Sequence, residues 1–411
     1  HIRDPVNTTL RQLKHALLSI LIATIACLPF LPGLPGDFVF DDGFNIVENP
    51  WIQLQSLAPS AIVEAAFSPE PGGHTRVLPT LSFALDYFRS GGLDPLTFKT
   101  TNLAIHALTS VLLTLFLRNI LLLSGTNPKR AFWTAVAMAT AWAIHPLQVS
   151  SVLYIVQRMQ TMSTLFLLIA LLTYLKALQA QVDGHSGRTG WLATGLLWAL
   201  ALACKEDAVL LPAYTLALEL TVLRFQAADA NFARKLQRGY TLAAVLGAAA
   251  FLFFIIPHYW SWGAYSGRNF SSYERLISQA RVLCMYLWEI IIPLPSHMPF
   301  YYDWLLPSRG LLQPWTTLPS LFVIAGLLGS AWYLRHRRPI FSFGIFLFFS
   351  GHFITSNVIA VELAYEHRNH LPLIGIVLAI GDLMAAAASK IRLSGHYATI
   401  AVTLILVTLG S

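Results

Sequence analysis

Charge is what this chain is short of. Asp, Glu, Lys and Arg together make up 11% of its 411 residues, whereas soluble domains carry about a quarter. A water-facing globular surface cannot be built from that supply, so the length does not imply a string of soluble domains. Cysteine is scarcer still. Cys27, Cys204 and Cys284 exclude a disulfide framework, and a Cys204–Cys284 bridge is the one pairing a shared outer face would allow. No internal repeat is evident. No spacing of His, Cys, Asp or Glu forms a regular metal-ligand set, and nothing points to a nucleic-acid partner. What is abundant is apolar sequence, 55% of the chain, in runs broken by Pro, Gly and short basic clusters. That is the composition of an integral membrane protein, read here as all-α and polytopic, a single membrane-embedded domain over residues 1–411.

A crossing needs about 20 apolar residues, and basic loops mark the cytoplasmic side. The first run, Ala16 to Leu31, follows Arg3, Arg11 and Lys14 and leads into Leu-Pro-Gly-Leu-Pro-Gly rather than a small-residue cleavage site. It is expected to stay as a first span. Further spans are expected at Thr101–Leu122, Ala131–His145, Val152–Leu178, Trp191–Cys204, Ala208–Leu223, Tyr240–Ile256, Leu318–Leu334, Ile340–Val358, Leu371–Ala388 and Tyr397–Leu409. The run Ala280–Pro293 would break the parity that puts Arg335, Arg337 and Arg338 inside, so it is read as a re-entrant or interfacial helix within a second outer segment, 257–317. The whole makes about 11–12 membrane helices, with most carboxylates outside. The first outer loop, 33–99, is too long for a connector. It is expected to carry one short helix at Pro59–Phe67 and another with Leu78, Leu81, Leu85 and Phe88 at helical spacing, both lying along the interface.

Within that loop, Phe38-Val-Phe-Asp-Asp-Gly-Phe-Asn45 sets two adjacent carboxylates, Asp41 and Asp42, between aromatic residues close to a span end. Acidic groups are costly to desolvate at a bilayer boundary; the alternative is a solvated turn. Further on, Arg76 opens a helix, where a guanidinium and a helix N-terminus both suit an anion. Asn102 and His106 lie one turn apart. His145-Pro146 leads to Arg158 near a span end, where a buried Arg needs an anion or a carboxylate partner. Lys205-Glu206-Asp207 is a tight charged turn between two spans. Glu362, Tyr365, Glu366, His367, Arg368 and His370 crowd between two apolar runs.

In this order, the motifs resemble those of GT-C glycosyltransferases, and among them the transmembrane and tetratricopeptide-repeat-containing protein O-mannosyltransferases and their bacterial relatives. The resemblance runs from about Phe38 to Pro372. Two departures stand out: Val77-Leu78 separates Arg76 from Pro79, and Ser151 stands where the family has an acidic residue. No tetratricopeptide repeat is present in these residues.

The resemblance implies a GT-C type helical bundle and a polyprenyl-phosphate-linked monosaccharide as donor. Asp41 would be the general base, and Asp42 would orient the acceptor or the phosphate, or share a metal. Arg76, Arg158, Lys205, His367 and Arg368 would hold the leaving phosphate. Glu206, Glu362, Glu366, His106 and His145 are further candidates. No cofactor is expected to be required, although a divalent cation could sit at the paired carboxylates. The expected partners are the lipid-linked donor, membrane lipids and a protein acceptor such as a pilin. The expected place is a bacterial inner membrane, with the site facing the periplasm or exterior. Two other classes are consistent with the composition: a transporter or channel, which would put charges in mid-span, and a non-catalytic assembly protein.

Overall fold

The computed structural model describes residues 5–68 and 76–391. His74 and Thr75 of the first loop, and the expected last span at Tyr397–Leu409, lie outside these residues. The described chain is helical, with one isolated bridge, Gly310 to Gln313, and no strand. Five described segments are long and apolar enough to cross a bilayer: Ala16–Gly33, Pro95–Leu123, Ile155–Val182, Ala230–Tyr259 and Thr317–Leu334. Pro339–Gly351 and Pro372–Ala388 are shorter apolar helices. The protein is thus an all-α, polytopic membrane protein.

Helix α1, Pro5–Cys27, enters the first loop, which forms α2 (Pro59–Ala66) and α3 (Val77–Ser90). Of the stripe Leu78, Leu81, Leu85 and Phe88, the first two are half-buried. Leu85 and Phe88 are exposed, while Phe83, Ala84 and Asp86 are buried. Leu85 and Phe88 are thus apolar side chains left outside the core. Gly91 ends α3 at φ 72°, the left-handed conformation that glycine adopts without steric cost.

Asp94 caps α4 (Pro95–Leu123) by accepting from the Thr97 N–H, and Asn127 caps α5 (Pro128–Ala143) by accepting from Lys129. A string of short turns, 146–157, leads into α6 (Arg158–Val182), which packs on α7 (Arg188–Leu202). After a tight turn come α8 (Leu211–Leu218) and α9 (Ala230–Ala250), the latter with no buried residue. Helix α10 spans Ser272–Ile291, opened by a capping box between Ser271 and Glu274. Helices α11 (Thr317–Leu334), α12 (Pro339–Gly351) and α13 (Pro372–Ile391) complete the bundle. Helices α12 and α13 touch backbone to backbone. A Cβ on Gly344 would lie 2.2 Å from the Gly375 carbonyl, and one on Gly375 would lie 2.3 Å from the Gly344 carbonyl. Small residues permit this approach, which membrane helices use where lipid removes the hydrophobic drive to associate.

Two ends of the bundle can be told apart. At one, Arg224 donates to the His336 carbonyl at 2.8 Å and Arg338 pairs with Asp382 at 3.4 Å, so the basic clusters after Leu223 and at Arg335–Arg338 meet. At the other, α10 runs beside the α12–α13 connection, residues 352–371. Buried Arg275 donates to the carbonyls of Thr355, Asn357 and Val361, and Gln279 donates to that of Leu363. The Tyr286 hydroxyl donates to the Tyr365 carbonyl and accepts from its N–H. At the far end of α10, the Ile290 carbonyl accepts from His145.

Candidate functional site

The two adjacent carboxylates of the first loop have opposite environments. Asp42 is fully buried. Its Oδ1 accepts from the Val156 N–H at 2.7 Å and its Oδ2 from Val39 at 3.1 Å. Burial pushes its pKa up to about 6, against the pull of those N–H groups. Asp42 therefore ties the loop to the turn before α6. Asp41 is exposed. Its N–H donates to the Tyr154 hydroxyl at 3.0 Å, and its carbonyl accepts from the backbone and side chain of Asn45. The residue before it, Phe40, sits at φ 45°, a strained position for a bulky side chain. Phe40 also stacks on Phe300 at 4.8 Å. The turn that presents Asp41 is thus fixed on both sides.

Facing elements bring cations together. The Leu78 N–H donates to the Ala203 carbonyl, docking α3 on the turn that carries Lys205. Arg76 and Glu206 pair through two contacts of 3.1 Å. Lys205 Nζ donates to Gln160 Oε1 at 2.5 Å. Burial lowers the Lys205 pKa. Asp207 opposes that effect, and the nearby charges of Arg76 and Arg368 add to it. Arg368 lies over the Tyr365 ring at 5.2 Å and donates to the Glu362 carbonyl at 2.7 Å. His367 stacks on Tyr365 at 5.1 Å, and burial, then Lys205 and Arg368, hold it well below the ordinary imidazole range, so it is neutral. Tyr365 lies within range of charges from both halves. Its pKa is raised to about 12 by burial and then by nearby carboxylates, Asp41 among them, while Arg368 pulls it down. Asp41, Arg76, Lys205, His367 and Arg368 therefore share one rim, and Glu206 and Glu362 belong to it as ion-pair partners. Glu362 pairs with Arg268.

Arg158 belongs to the support under this rim. It is fully buried, with Nε donating to Asn102 Oδ1 at 2.6 Å, Nη1 to Ser82 at 3.1 Å and Nη2 to the Phe98 carbonyl at 2.8 Å. Its Nη2 lies 2.6 Å from Asp86 Oδ2. Of the two readings its sequence position allowed, phosphate ligand or carboxylate partner, the geometry favours the second. His106 and His145 also pack rather than face the rim. His106 donates Nε2–H to the Ala143 carbonyl and stacks on Trp142. His145 accepts from the Leu147 N–H at Nδ1 and donates Nε2–H to the Ile290 carbonyl, and burial lowers its pKa to about 4. Glu366 is buried, and its Oε1 has no hydrogen-bond partner. The three cysteines are free. Among the described residues, no three His, Cys, Asp or Glu side chains converge as metal ligands.

Sequence reasoning passed over Asp86, Tyr154, Arg275 and Tyr286. Asp86 and Arg275 were legible only as isolated charges on amphipathic helices. Tyr154 lies between His145-Pro146 and Arg158, where an aromatic residue in an apolar stretch signals no role of its own.

Fold and rim together define a polytopic helical membrane protein with an acid-bearing loop opposed to clustered cations at one end. No family model matches the chain, and no solved structure matches it. Its curated relatives are protein O-mannosyl-transferases. It is 26% identical over 202 residues to human Protein O-mannosyl-transferase TMTC4, covering 46% of this chain and 27% of that one. To human TMTC2 it is 32% identical over 192 residues, 44% and 21% of the two chains. To mouse TMTC1 it is 30% identical over 174 residues, 40% and 17%. The match spans about a quarter or less of these relatives' lengths. The likeness read from the motifs is therefore also a likeness in aligned sequence.

Proposed function

We propose that the chain is an inverting glycosyltransferase that moves a monosaccharide from a polyprenyl-phosphate carrier to an acceptor hydroxyl. The observation that carries this reading is the exposed Asp41 carboxylate on a strained, pinned turn, at the same rim as Tyr365 and the cation cluster of Arg76, Lys205 and Arg368. The names of the relatives support it.

In this mechanism Asp41 takes the proton of the acceptor hydroxyl as that oxygen bonds to the anomeric carbon. The bond from the anomeric carbon to the phosphate oxygen breaks on the opposite side, and its electron pair stays on the phosphate. The leaving group gains negative charge, which Lys205, Arg368 and Arg76 stabilise at a rim of low dielectric. A single displacement inverts the anomeric centre. Asp42 holds the turn and Arg158 holds α3 beneath it, so both position the reacting group. The acceptor is a cell-envelope protein such as a pilin, and the rim faces the outside of a bacterial inner membrane.

The test is Asp41→Asn, with sugar transfer followed by mass spectrometry of envelope proteins from cells carrying either form. Losing a general base costs about 10²–10⁴-fold in rate, so the hexose-sized addition should disappear. Equal product from both forms would rule out the mechanism, and is what a transporter or an assembly protein predicts.

A further inference from the structure

Beside the Asp41 turn lies a cavity of about 430 Å³, within the roughly 300–1,000 Å³ of small-molecule sites. Its lining is of two kinds. Asp37, Lys99, Ser150, Tyr154 and Glu366 supply polar groups, and Phe300, with Val39, Val149, Leu153 and Met298, supplies a larger apolar wall. Phe300 is held there by the Phe40 ring on one side and by Tyr154, at 5.1 Å, on another. Glu366 is only 6% exposed; Ser150 hydrogen-bonds its carboxyl, and its Oε1 has no hydrogen-bond partner. A buried carboxyl oxygen left unpaired is destabilising, and a ligand hydroxyl would offset that.

We infer that this cavity seats the transferred monosaccharide, with Glu366 hydrogen-bonded to a ring hydroxyl and Phe300 packed on the face of the sugar ring. The inference rests on the glycosyl-transfer reading and adds a sugar subsite to it. Three observations favour a sugar over a lipid tail. A monosaccharide presents hydroxyls at its edge and C–H groups on its face, which matches both kinds of wall. A polyprenyl tail would leave Glu366 Oε1 unpaired and bury Asp37 against hydrocarbon. The cavity also adjoins both halves of the rim, because Tyr154 accepts from the Asp41 N–H and Glu366 directly precedes His367 and Arg368. A sugar seated there has the proposed base on one side and the phosphate cations on another. Burial, and then the charge of Glu289, push the Glu366 pKa up to about 8, so at neutral pH the carboxyl can donate as well as accept.

The experiment is thermal protection of the full chain in lipid nanodiscs. One set of probes is mannosyl, glucosyl and N-acetylglucosaminyl phosphate, which have a sugar but no lipid. The other probe is polyprenyl monophosphate, which has lipid but no sugar. Binding raises the unfolding midpoint in proportion to occupancy. At least one hexosyl phosphate should protect the wild type. Glu366→Gln and Phe300→Ala should each weaken that protection about tenfold or more, equivalent to about 1.4 kcal/mol, and leave polyprenyl monophosphate binding unchanged. The inference is overturned if no hexosyl phosphate protects the wild type, or if the variants bind hexosyl phosphates like the wild type. It is also overturned if only polyprenyl monophosphate binding falls, since the cavity would then be a lipid seat. Failure of the transfer reading shows separately, as product formation that Asp41→Asn leaves intact.

Discussion

Truncating Arg158 should undo the docking of the first loop rather than weaken a phosphate site. The guanidinium is fully buried; it lies 2.6 Å from Asp86 and donates to Asn102, Ser82 and the Phe98 carbonyl. These partners come from α3 and α4, so one side chain on α6 holds both helices. Breaking a buried ion pair from one side costs about 3–5 kcal/mol, because the remaining charge stays buried without its partner. In Arg158→Ala that charge is Asp86, which keeps Arg89 at 2.9 Å and the Thr101 hydroxyl at 2.8 Å. In Asp86→Ala it is Arg158, which keeps only neutral acceptors. The loss should therefore be at least as large for Asp86→Ala as for Arg158→Ala. The double variant removes both stranded charges and should recover about 1–3 kcal/mol relative to the sum of the singles. Arg158→Lys should fall between, since an ammonium cannot reproduce the forked contacts. The assay is thermal unfolding of the four variants and the wild type in nanodiscs, with donor KM measured alongside. Additive single losses, or an Arg158→Ala form that raises donor KM tenfold at an unchanged unfolding midpoint, would refute the reasoning and return Arg158 to the phosphate site.

Tyr286→Phe removes the hydroxyl that bonds both backbone groups of Tyr365. It should cost about 1–3 kcal/mol in thermal stability and slow transfer, because the Glu366–Arg368 turn hangs from it. Gly375→Ala places a methyl group against the Gly344 carbonyl, and overpacking of this kind typically costs about 1–3 kcal/mol; a wild-type midpoint would show that α12 and α13 can move apart freely. Glu366 supplies a pH signature. Its folded pKa is raised to about 8 from an ordinary 4.5, so between those values the folded state holds a proton that the unfolded chain has lost. Stability should fall as pH rises through that window, by up to about 1.4 kcal/mol per unit. Glu366→Gln should flatten the slope, as read by unfolding midpoints at pH 5 to 8.

The membrane class and the motif order were legible because they depend on composition and on short runs, which the chain carries locally. Partnerships were not. Arg158 and Asp86 are far apart in sequence, and nothing in either segment says that the charge of one answers the other. The direction of the stripe on α3 is hidden for a related reason. In water, Leu85 and Phe88 would mark the buried face, but in a bilayer the apolar face can point outward, so periodicity locates the helix without saying which side is core. Helix α10 extends eight residues before the expected run at Ala280 because Ser271 and Glu274 cap it. Its polar residues Arg275 and Gln279 mask it from an apolar count, yet they organise the connection 352–371.

The same division of labour accounts for the paired carboxylates. Two identical groups, one residue apart, cannot both be ligands of the loop and both be free to react. Asp42 receives two backbone N–H bonds and lies fully buried, so any proton it took from a substrate would have to cross protein and loosen the tie to α6. Asp41 lies outside that tie: its backbone is held by Tyr154 and Asn45, and its exposed carboxylate meets the Tyr154 hydroxyl at the surface, where an acceptor can reach it. The strained φ of Phe40 is the cost of turning the chain so that one carboxylate faces in and its neighbour faces out. On the opposite wall the pattern inverts: Lys205 and Arg368 crowd a neutral histidine, and burial already disfavours the charge on Lys205. An arrangement that is electrostatically costly when empty becomes favourable when an anion arrives, and most of all when that anion is gaining charge. The loop and the wall together therefore suit a reaction in which a proton leaves on one side as negative charge appears on the other.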